Sequence, residues 1–183
     1  MILGLDVSTS CTGYCILDKN KNLIEIDYII LKKEKDLCGK GNIIKNIFDT
    51  LKNKYDISEI YIEEPFQRFG QGLSSAATIT RLASFNGIVQ YISYSVFDVY
   101  PIMINVNKAR KSLGIKTLRK KKCGIDTKEQ VFNWVKSELP KFDWPTKIMK
   151  SGKRKGKKIL IPECLDMSDA FVIARAGLVN TPK

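Results

Sequence analysis

Ile2, Leu3, Gly4, Leu5, Asp6 and Val7 form a short, almost wholly apolar run that breaks at the polar triplet Ser8-Thr9-Ser10. That is the pattern of a buried strand followed by a turn. Residues 13–17 and 23–31 predict two more strands, and the stretch Asp18-Lys19-Asn20-Lys21-Asn22 between them has the Asn and Asp content of a hairpin turn. The N-terminal stretch to residue 31 therefore predicts an antiparallel meander. Over residues 42–55 the pattern changes period: Ile43, Ile44, Ile47, Phe48 and Leu51 recur at helical spacing with lysines between them, which predicts an amphipathic helix. Residues 57–63 return to a β-rich run, and Pro65 argues against its continuing as a central strand.

A loop with Gly70 and Gly72 leads to residues 73–97, apolar at near-helical spacing and expected to form a largely buried helix. Residues 99–106 predict a strand, 108–113 a short helix, and 127–138 a helix with Val131, Trp134 and Val135 on one side. Residues 165–178 predict a last helix, with a frayed tail after Asn180. Strands alternating with helices predict an α/β domain, and 183 residues suit a single domain spanning 1–183. One segment interrupts the pattern. Between residues 147 and 158, Lys147, Lys150, Lys153, Arg154, Lys155, Lys157 and Lys158 are interspersed with Gly152 and Gly156, which predicts a mobile basic loop or a hairpin.

Charge adds a partner to this picture. A net charge of +12 points to a polyanion, because each phosphate neutralised by Lys or Arg releases condensed counterions; a Lys-rich surface that merely keeps the protein in solution is the plainer alternative. The chain has no histidine, which removes the commonest general base and the commonest transition-metal ligand. Hydrolytic chemistry would then rest on carboxylates, lysine, hydroxyls, cysteine or a hard metal ion held by oxygen. Cys11, Cys15, Cys38, Cys123 and Cys164 are odd in number and scattered, which suggests reduced, mostly buried thiols rather than disulfides or zinc ligands. No apolar run approaches the roughly 18 residues of a membrane span, and no signal core precedes Asp6, so a cytoplasmic location with no membrane partner is expected.

Asp6 lies inside an apolar strand, where an unpaired carboxylate is costly to desolvate; it either meets something cationic or caps the following Ser-Thr-Ser turn. Glu63 and Glu64 end a strand, and side-chain alternation sends them to opposite faces, so one of them can join a cluster, Glu63 being the candidate, or both face solvent. Asp166 and Asp169 are three apart in the first turns of the last helix and share a face, although acids there also complement the helix dipole. Jointly they form a pattern: one acid in the first strand, one at a later strand end, two on a terminal helix. If they converge, their mutual repulsion calls for metal. Mg²⁺ or Mn²⁺ suits carboxylate oxygens, and two such ions about 4 Å apart clamp the attacking and leaving oxygens of phosphodiester hydrolysis.

Three blocks carry a family likeness: Ile2-Leu3-Gly4-Leu5-Asp6-Val7-Ser8 through Thr12-Gly13-Tyr14, then Tyr61-Ile62-Glu63-Glu64-Pro65-Phe66, then Asp166-Met167-Ser168-Asp169-Ala170 through Ile173-Ala174. In order and spacing they resemble the signature blocks of the RuvC-type Holliday-junction resolvases, over nearly the whole chain. The resemblance implies a ribonuclease H-like fold, a mixed central sheet of three antiparallel strands followed by parallel ones, flanked by helices. It implies that Asp6, Glu63, Asp166 and Asp169 bind two Mg²⁺ ions, with Mn²⁺ as a substitute, and that cleavage leaves 5′-phosphate and 3′-hydroxyl ends. Lys128 looks like the family's helix-borne lysine near the scissile phosphate; a solvent-facing lysine is its plainer reading. Phe66 stands where the family carries an aromatic that stacks on junction bases, with Phe69 as a substitute candidate and Arg68 beside them as a DNA contact.

The basic stretch with Lys153, Arg154, Lys155, Lys157 and Lys158, and the segment 116–124, are more like phage- or virus-encoded relatives, for which the location would be the host cytoplasm; both segments could track phosphates. The function implied is a structure-selective, Mg-dependent endonuclease that resolves four-way or related branched DNA, nicking symmetrically as a homodimer. The helix at 73–97 could supply the interface through Ile88, Tyr91, Ile92 and Ser95, although an intramolecular core stripe is the commoner source of such a pattern. Three alternatives stay open on the sequence: a nuclease for RNA–DNA hybrids, an actin-like phosphotransferase using the Asp6 turn, and a non-catalytic DNA-binding module.

Overall fold

Side-chain alternation along the first strand sorts the molecule into layers. In the computed structural model, which describes residues 1–65 and 76–180, β1 (Ile2–Asp6) sends Leu3 and Leu5 into one hydrophobic core and Ile2 into another on the opposite face. Gly4 and Asp6 follow Ile2 by the period of two. β1 pairs antiparallel with β2 (Cys11–Leu17), and β2 with β3 (Leu23–Ile30), so the expected meander is present. β4 (Glu59–Glu63) and β5 (Ile102–Ile104) lie parallel to β1, giving a five-stranded mixed sheet of order β3-β2-β1-β4-β5. The expected fold class is the observed one.

One face is covered by α1 (Leu37–Lys54) and α2 (Ala76–Phe97), which pack Ile44, Phe48, Phe85 and Val89 against Leu3, Leu5, Ile60 and Ile62. α1 starts earlier than the periodicity predicts, because Asp36 caps it by accepting from the Gly39 N–H at 2.7 Å, and a Cβ on Gly41 would meet Ile88 of α2. α2 departs from the largely buried helix expected. It buries Phe85, Val89, Ile92 and Val96 along one stripe and exposes Tyr91 and Tyr94 on the other, a one-sided helix lying on a sheet. Of the four residues considered for a subunit interface, Ile92 is buried and Ile88 packs against the same core, as an intramolecular stripe would.

The opposite face carries α6 (Cys164–Asn180), buried from Met167 to Ala174 because the sheet lies beneath it and α3 (Val106–Ser112) and α5 (Thr127–Glu138) lie above. It comes unusually close to the sheet. A Cβ on Gly4 would stand 2.6 Å from the Ala170 carbonyl oxygen, and one on Gly13 would strike the Asp166 carbonyl, so both positions require glycine. On α5 the buried set is Val131, Phe132 and Val135, with Trp134 only partly covered. The strand expected over 99–106 shrinks to three residues, because Pro101 precedes it and the Asn105 side chain already caps α3. A short α4 (Lys120–Cys123) precedes α5. The basic segment is a hairpin: β6 (Thr146–Ile148) and β7 (Lys158–Leu160) pair antiparallel around a 3₁₀ turn at Gly152–Arg154.

Candidate active site

Asp6 ends β1 and Glu63 ends the neighbouring parallel β4, so both lie at the carboxyl edge of the sheet, where α/β folds place their ligands. The same alternation that sends Ile60 and Ile62 to the α1/α2 side sends Tyr61 and Glu63 to the α6 side, with Asp6. The N-terminal turns of α6, held against β2 at Gly13, bring Asp166 and Asp169 to that edge.

Three of the four carboxylates meet at one cation. The Lys128 ammonium, on the first turn of α5, lies 3.2 Å from Asp166 Oδ1, 3.4 Å from Asp169 Oδ2 and 4.0 Å from Asp6 Oδ2. Glu63 stands close enough for its charge to act on Asp6 and for Lys128 to act on it. A second cation, which the sequence reading did not single out, completes the group: Arg110 of α3 places Nη2 3.3 Å from Asp169 Oδ1. Its Nε is buried with no hydrogen-bond partner among the described residues. Nothing in the sequence marks Arg110 apart from the basic residues around it; its role follows from the packing of α3 on α6.

The electrostatics follow from crowding acids in a dry place. Burial, then the charges of Asp169 and Glu63, raise the Asp6 carboxyl well above its ordinary range. Burial and Asp169 push Glu63 up to about 7, although Arg110 and Lys128 pull it down. Burial works against the charge on Lys128, yet Asp6, Asp169 and Asp166 hold it protonated well beyond the usual lysine range. The neighbouring Cys11 thiol is pushed up to about 12 by burial and by Asp166, which leaves it neutral rather than nucleophilic.

The Ser8–Ser10 turn is held by Ser8, whose Oγ donates to the Cys11 carbonyl at 2.6 Å and accepts from the Cys11 N–H at 3.2 Å, while Asp6 faces Lys128. Glu64 diverges from Glu63: its Oε2 accepts from Asn105 Nδ2 at 3.2 Å, tying the strand end to the α3 cap. Lys153, Arg154, Lys155, Lys157 and Lys158 are exposed on the hairpin. Phe66, Arg68 and Phe69 lie outside the described residues.

All the acids offer hard oxygen donors, the chain holds no histidine, and the nearby thiol is neutral, so the donor set suits Mg²⁺ or Mn²⁺. Three of them already share one cation, the ammonium of Lys128. Among the described residues, no group of three or more acidic or sulfur ligands is arranged around a single ion position.

No protein-family model matches the sequence, and no curated protein is similar to it in sequence. Solved structures are similar to it in fold. RuvC of T. thermophilus in complex with a Holliday junction substrate aligns with a TM-score of 0.61 at 13% identity, covering 96% of this chain and 90% of that one. Thermus thermophilus RuvC alone gives a TM-score of 0.57 at 15% identity, over 96% of this chain and 91% of that one. The yeast mitochondrial Holliday junction resolvase Ydc2 gives a TM-score of 0.55 at 13% identity, over 97% and 77%. By its sheet order, its helix layers and these neighbours, the chain has the ribonuclease H-like fold of the RuvC-type resolvases.

Proposed function

We propose that this chain is a structure-selective DNA endonuclease that resolves four-way junctions or related branched DNA, acting as a homodimer with 1–183 as one nuclease domain. The observation that carries the reading is the meeting of Asp6, Asp166 and Asp169 around Lys128, with Glu63 at the next strand end close enough for its charge to act on Asp6, at the sheet edge of a RuvC-type fold. The same fold in T. thermophilus RuvC is found with a Holliday junction substrate.

Asp6, Glu63, Asp166 and Asp169 would hold two divalent ions, Mg²⁺ with Mn²⁺ as a substitute, which supply Lewis acidity toward a phosphodiester when bound. The chain's own residues do the rest. Lys128, kept charged by the acids, faces the same edge and is suited to neutralising charge that develops on phosphate oxygens. Arg110 pairs with Asp169 Oδ1 while Lys128 meets Oδ2, a pairing suited to orienting that carboxylate before DNA arrives. The hairpin residues Lys153, Arg154, Lys155, Lys157 and Lys158 offer charge to backbone phosphates, which position a duplex without reading it.

The test is incubation of labelled four-way junction, linear duplex and RNA–DNA hybrid with wild type and Asp6→Asn, with and without Mg²⁺. Paired symmetric nicks on the junction alone, requiring metal and lost in Asp6→Asn, are the expected result. Equal cutting of the hybrid would move the substrate to RNA–DNA duplexes. No cutting of any substrate with metal present, alongside tight DNA binding that Asp6→Asn retains, would leave a binding module.

A further inference from the structure

α3 ends on a turn whose backbone bonds are made within it. The Ile115 N–H donates to the Arg110 carbonyl at 2.9 Å and the Gly114 N–H to the Lys111 carbonyl at 3.1 Å, with Gly114 at a φ of 70°. Carbonyls that would otherwise face outward at a helix C-terminus, and repel an anion, are thereby used up. Ile115 is buried and anchors the turn. The chain then runs to Leu118, which Gln130 of α5 grips twice: Gln130 Oε1 accepts from the Leu118 N–H and Nε2 donates to the Leu118 carbonyl, each at 2.8 Å. Between these two fixed points lies a cavity of about 260 Å³, lined by Asn107, Arg110, Lys111, Gly114, Ile115, Lys116 and Thr117.

Its charge is of one sign. Arg110, Lys111 and Lys116 line it and no acid does, whereas the cavity between α5 and α6 mixes Asp126 and Glu129 with its lysines and the one at the end of α1 includes Asp56. No acid pairs with Lys111 or Lys116 among the described ion pairs. Arg110 spends Nη2 on Asp169, at 3.3 Å, and its buried Nε has no partner among the described residues. A guanidinium has five donors, so this one keeps hydrogen-bonding capacity in reserve. Asn107 and Thr117 add an amide and a hydroxyl. Three unbalanced cations with neutral donors between them select an oxyanion over a base or an apolar group, and phosphate matches the guanidinium fork.

We infer that this cavity seats one backbone phosphate of the bound nucleic acid, a different one from the phosphodiester at the acidic centre. The inference rests on the nuclease reading for the identity of the strand and adds a second fixed point to it. Arg110 belongs to both places, because it lines the cavity and pairs with Asp169. A strand held here is anchored one guanidinium away from the carboxylates. Phosphate contacts fix the register of a strand without reading its bases, so the anchor sets which phosphodiester reaches the acids.

The test is a binding scan in EDTA, where no cutting intervenes. Junctions carrying a single uncharged methylphosphonate at successive positions around the crossover are bound by wild type and by Lys111→Gln/Lys116→Gln, both lysines being exposed. The double variant should lower the slope of log affinity against log salt by about 0.9, the value of one phosphate. At one position a methylphosphonate should lower the wild-type slope by the same amount and leave the variant's unchanged. Absence of any such silent position overturns the inference, while cutting of the unmodified junction by the wild type in Mg²⁺ upholds the nuclease reading. A silent position at the very phosphodiester that is cut would overturn it too, because cavity and acidic centre would then hold the same phosphate. A silent position with no wild-type cutting in Mg²⁺ would sink the nuclease reading and leave the phosphate seat standing. Inorganic phosphate is the remaining arm: saturable NMR shifts of the Gly114 and Thr117 amides, lost in the double variant, with no silent position in the scan, would make the cavity a seat for a free anion and overturn the inference.

Discussion

Glu63 couples the acidic centre to pH. Its carboxyl sits at about 7 against an ordinary value of 4.5, chiefly through burial and then through Asp169. A folded-state value above the unfolded one means that the native chain binds the extra proton. Stability supplied by that proton is complete below about 4.5 and is lost as pH rises through 7. In EDTA the melting temperature should therefore fall between pH 5 and pH 8, by a free energy on the order of 3 kcal/mol for this shift, and Glu63→Gln should remove most of the slope. Asp6 is raised in the same direction and adds to it. Millimolar Mg²⁺ should restore stability at pH 8 and do little at pH 5, because a divalent ion and the protons compete for the same oxygens. A flat melting curve from pH 5 to 8 in EDTA would contradict this account of the site.

Arg110 acts at the same scale with opposite sign. It is one of the charges that pull Glu63 down, and it pairs with the almost fully buried Asp169. Arg110→Met should move the Glu63 midpoint further up in a carboxyl NMR titration and cost on the order of 3 kcal/mol in chemical denaturation, as expected when one partner of a buried pair is removed. A purely structural role in α3 would change the stability without moving the titration. Residues of this kind are what the sequence hides. Asp6, Glu63, Asp166 and Asp169 could be named because they stand at strand ends and in a helix turn, where period and position announce them. The part Arg110 plays shows only in how two helices pack.

At the scale of elements, α6 decides whether the site exists. Its first turns carry Asp166 and Asp169, and they reach β1 and β2 only because Gly4 and Gly13 leave room for the helix backbone. Gly13→Ala should displace the turn at Asp166, cost about 1–3 kcal/mol from overpacking, and reduce cleavage far more than that loss of stability explains. Gly87→Ala is the control, since a Cβ there meets nothing within 4 Å and the position is mid-helix in α2. It should stabilise by roughly 0.5–1 kcal/mol and leave cleavage alone. Thermal melts and single-turnover cleavage of both variants separate the two effects. The strands and helices were legible where a strong period ran uninterrupted, as in β1, β4 and α5. They were misread where a tertiary partner replaced the local signal: Gly41 extends α1 by fitting α2, Asn105 ends β5 by capping α3, and the sheet covers only one side of α2.

The whole molecule carries +12, and the structure separates that charge into two jobs. Lys128 and Arg110 are engaged by the acids, inside the site. The hairpin's cations stand clear of it: the Met149 N–H donates to the Lys157 carbonyl at 3.0 Å across the turn, and no acid pairs with Lys153, Arg154, Lys155, Lys157 or Lys158 among the described ion pairs. Charges left free in this way act on phosphates by counterion release, which depends on salt and not on branch structure. Replacing these five with glutamine should lower the slope of log affinity against log salt by up to about 0.9 for each phosphate that is no longer neutralised. The weakening should be similar for linear duplex and for four-way junction. The ratio of junction to duplex affinity should survive, because discrimination between them would come from the acidic edge. If the ratio collapses along with the affinity, the hairpin is itself the element that recognises branching, and the site would only cut what the hairpin selects.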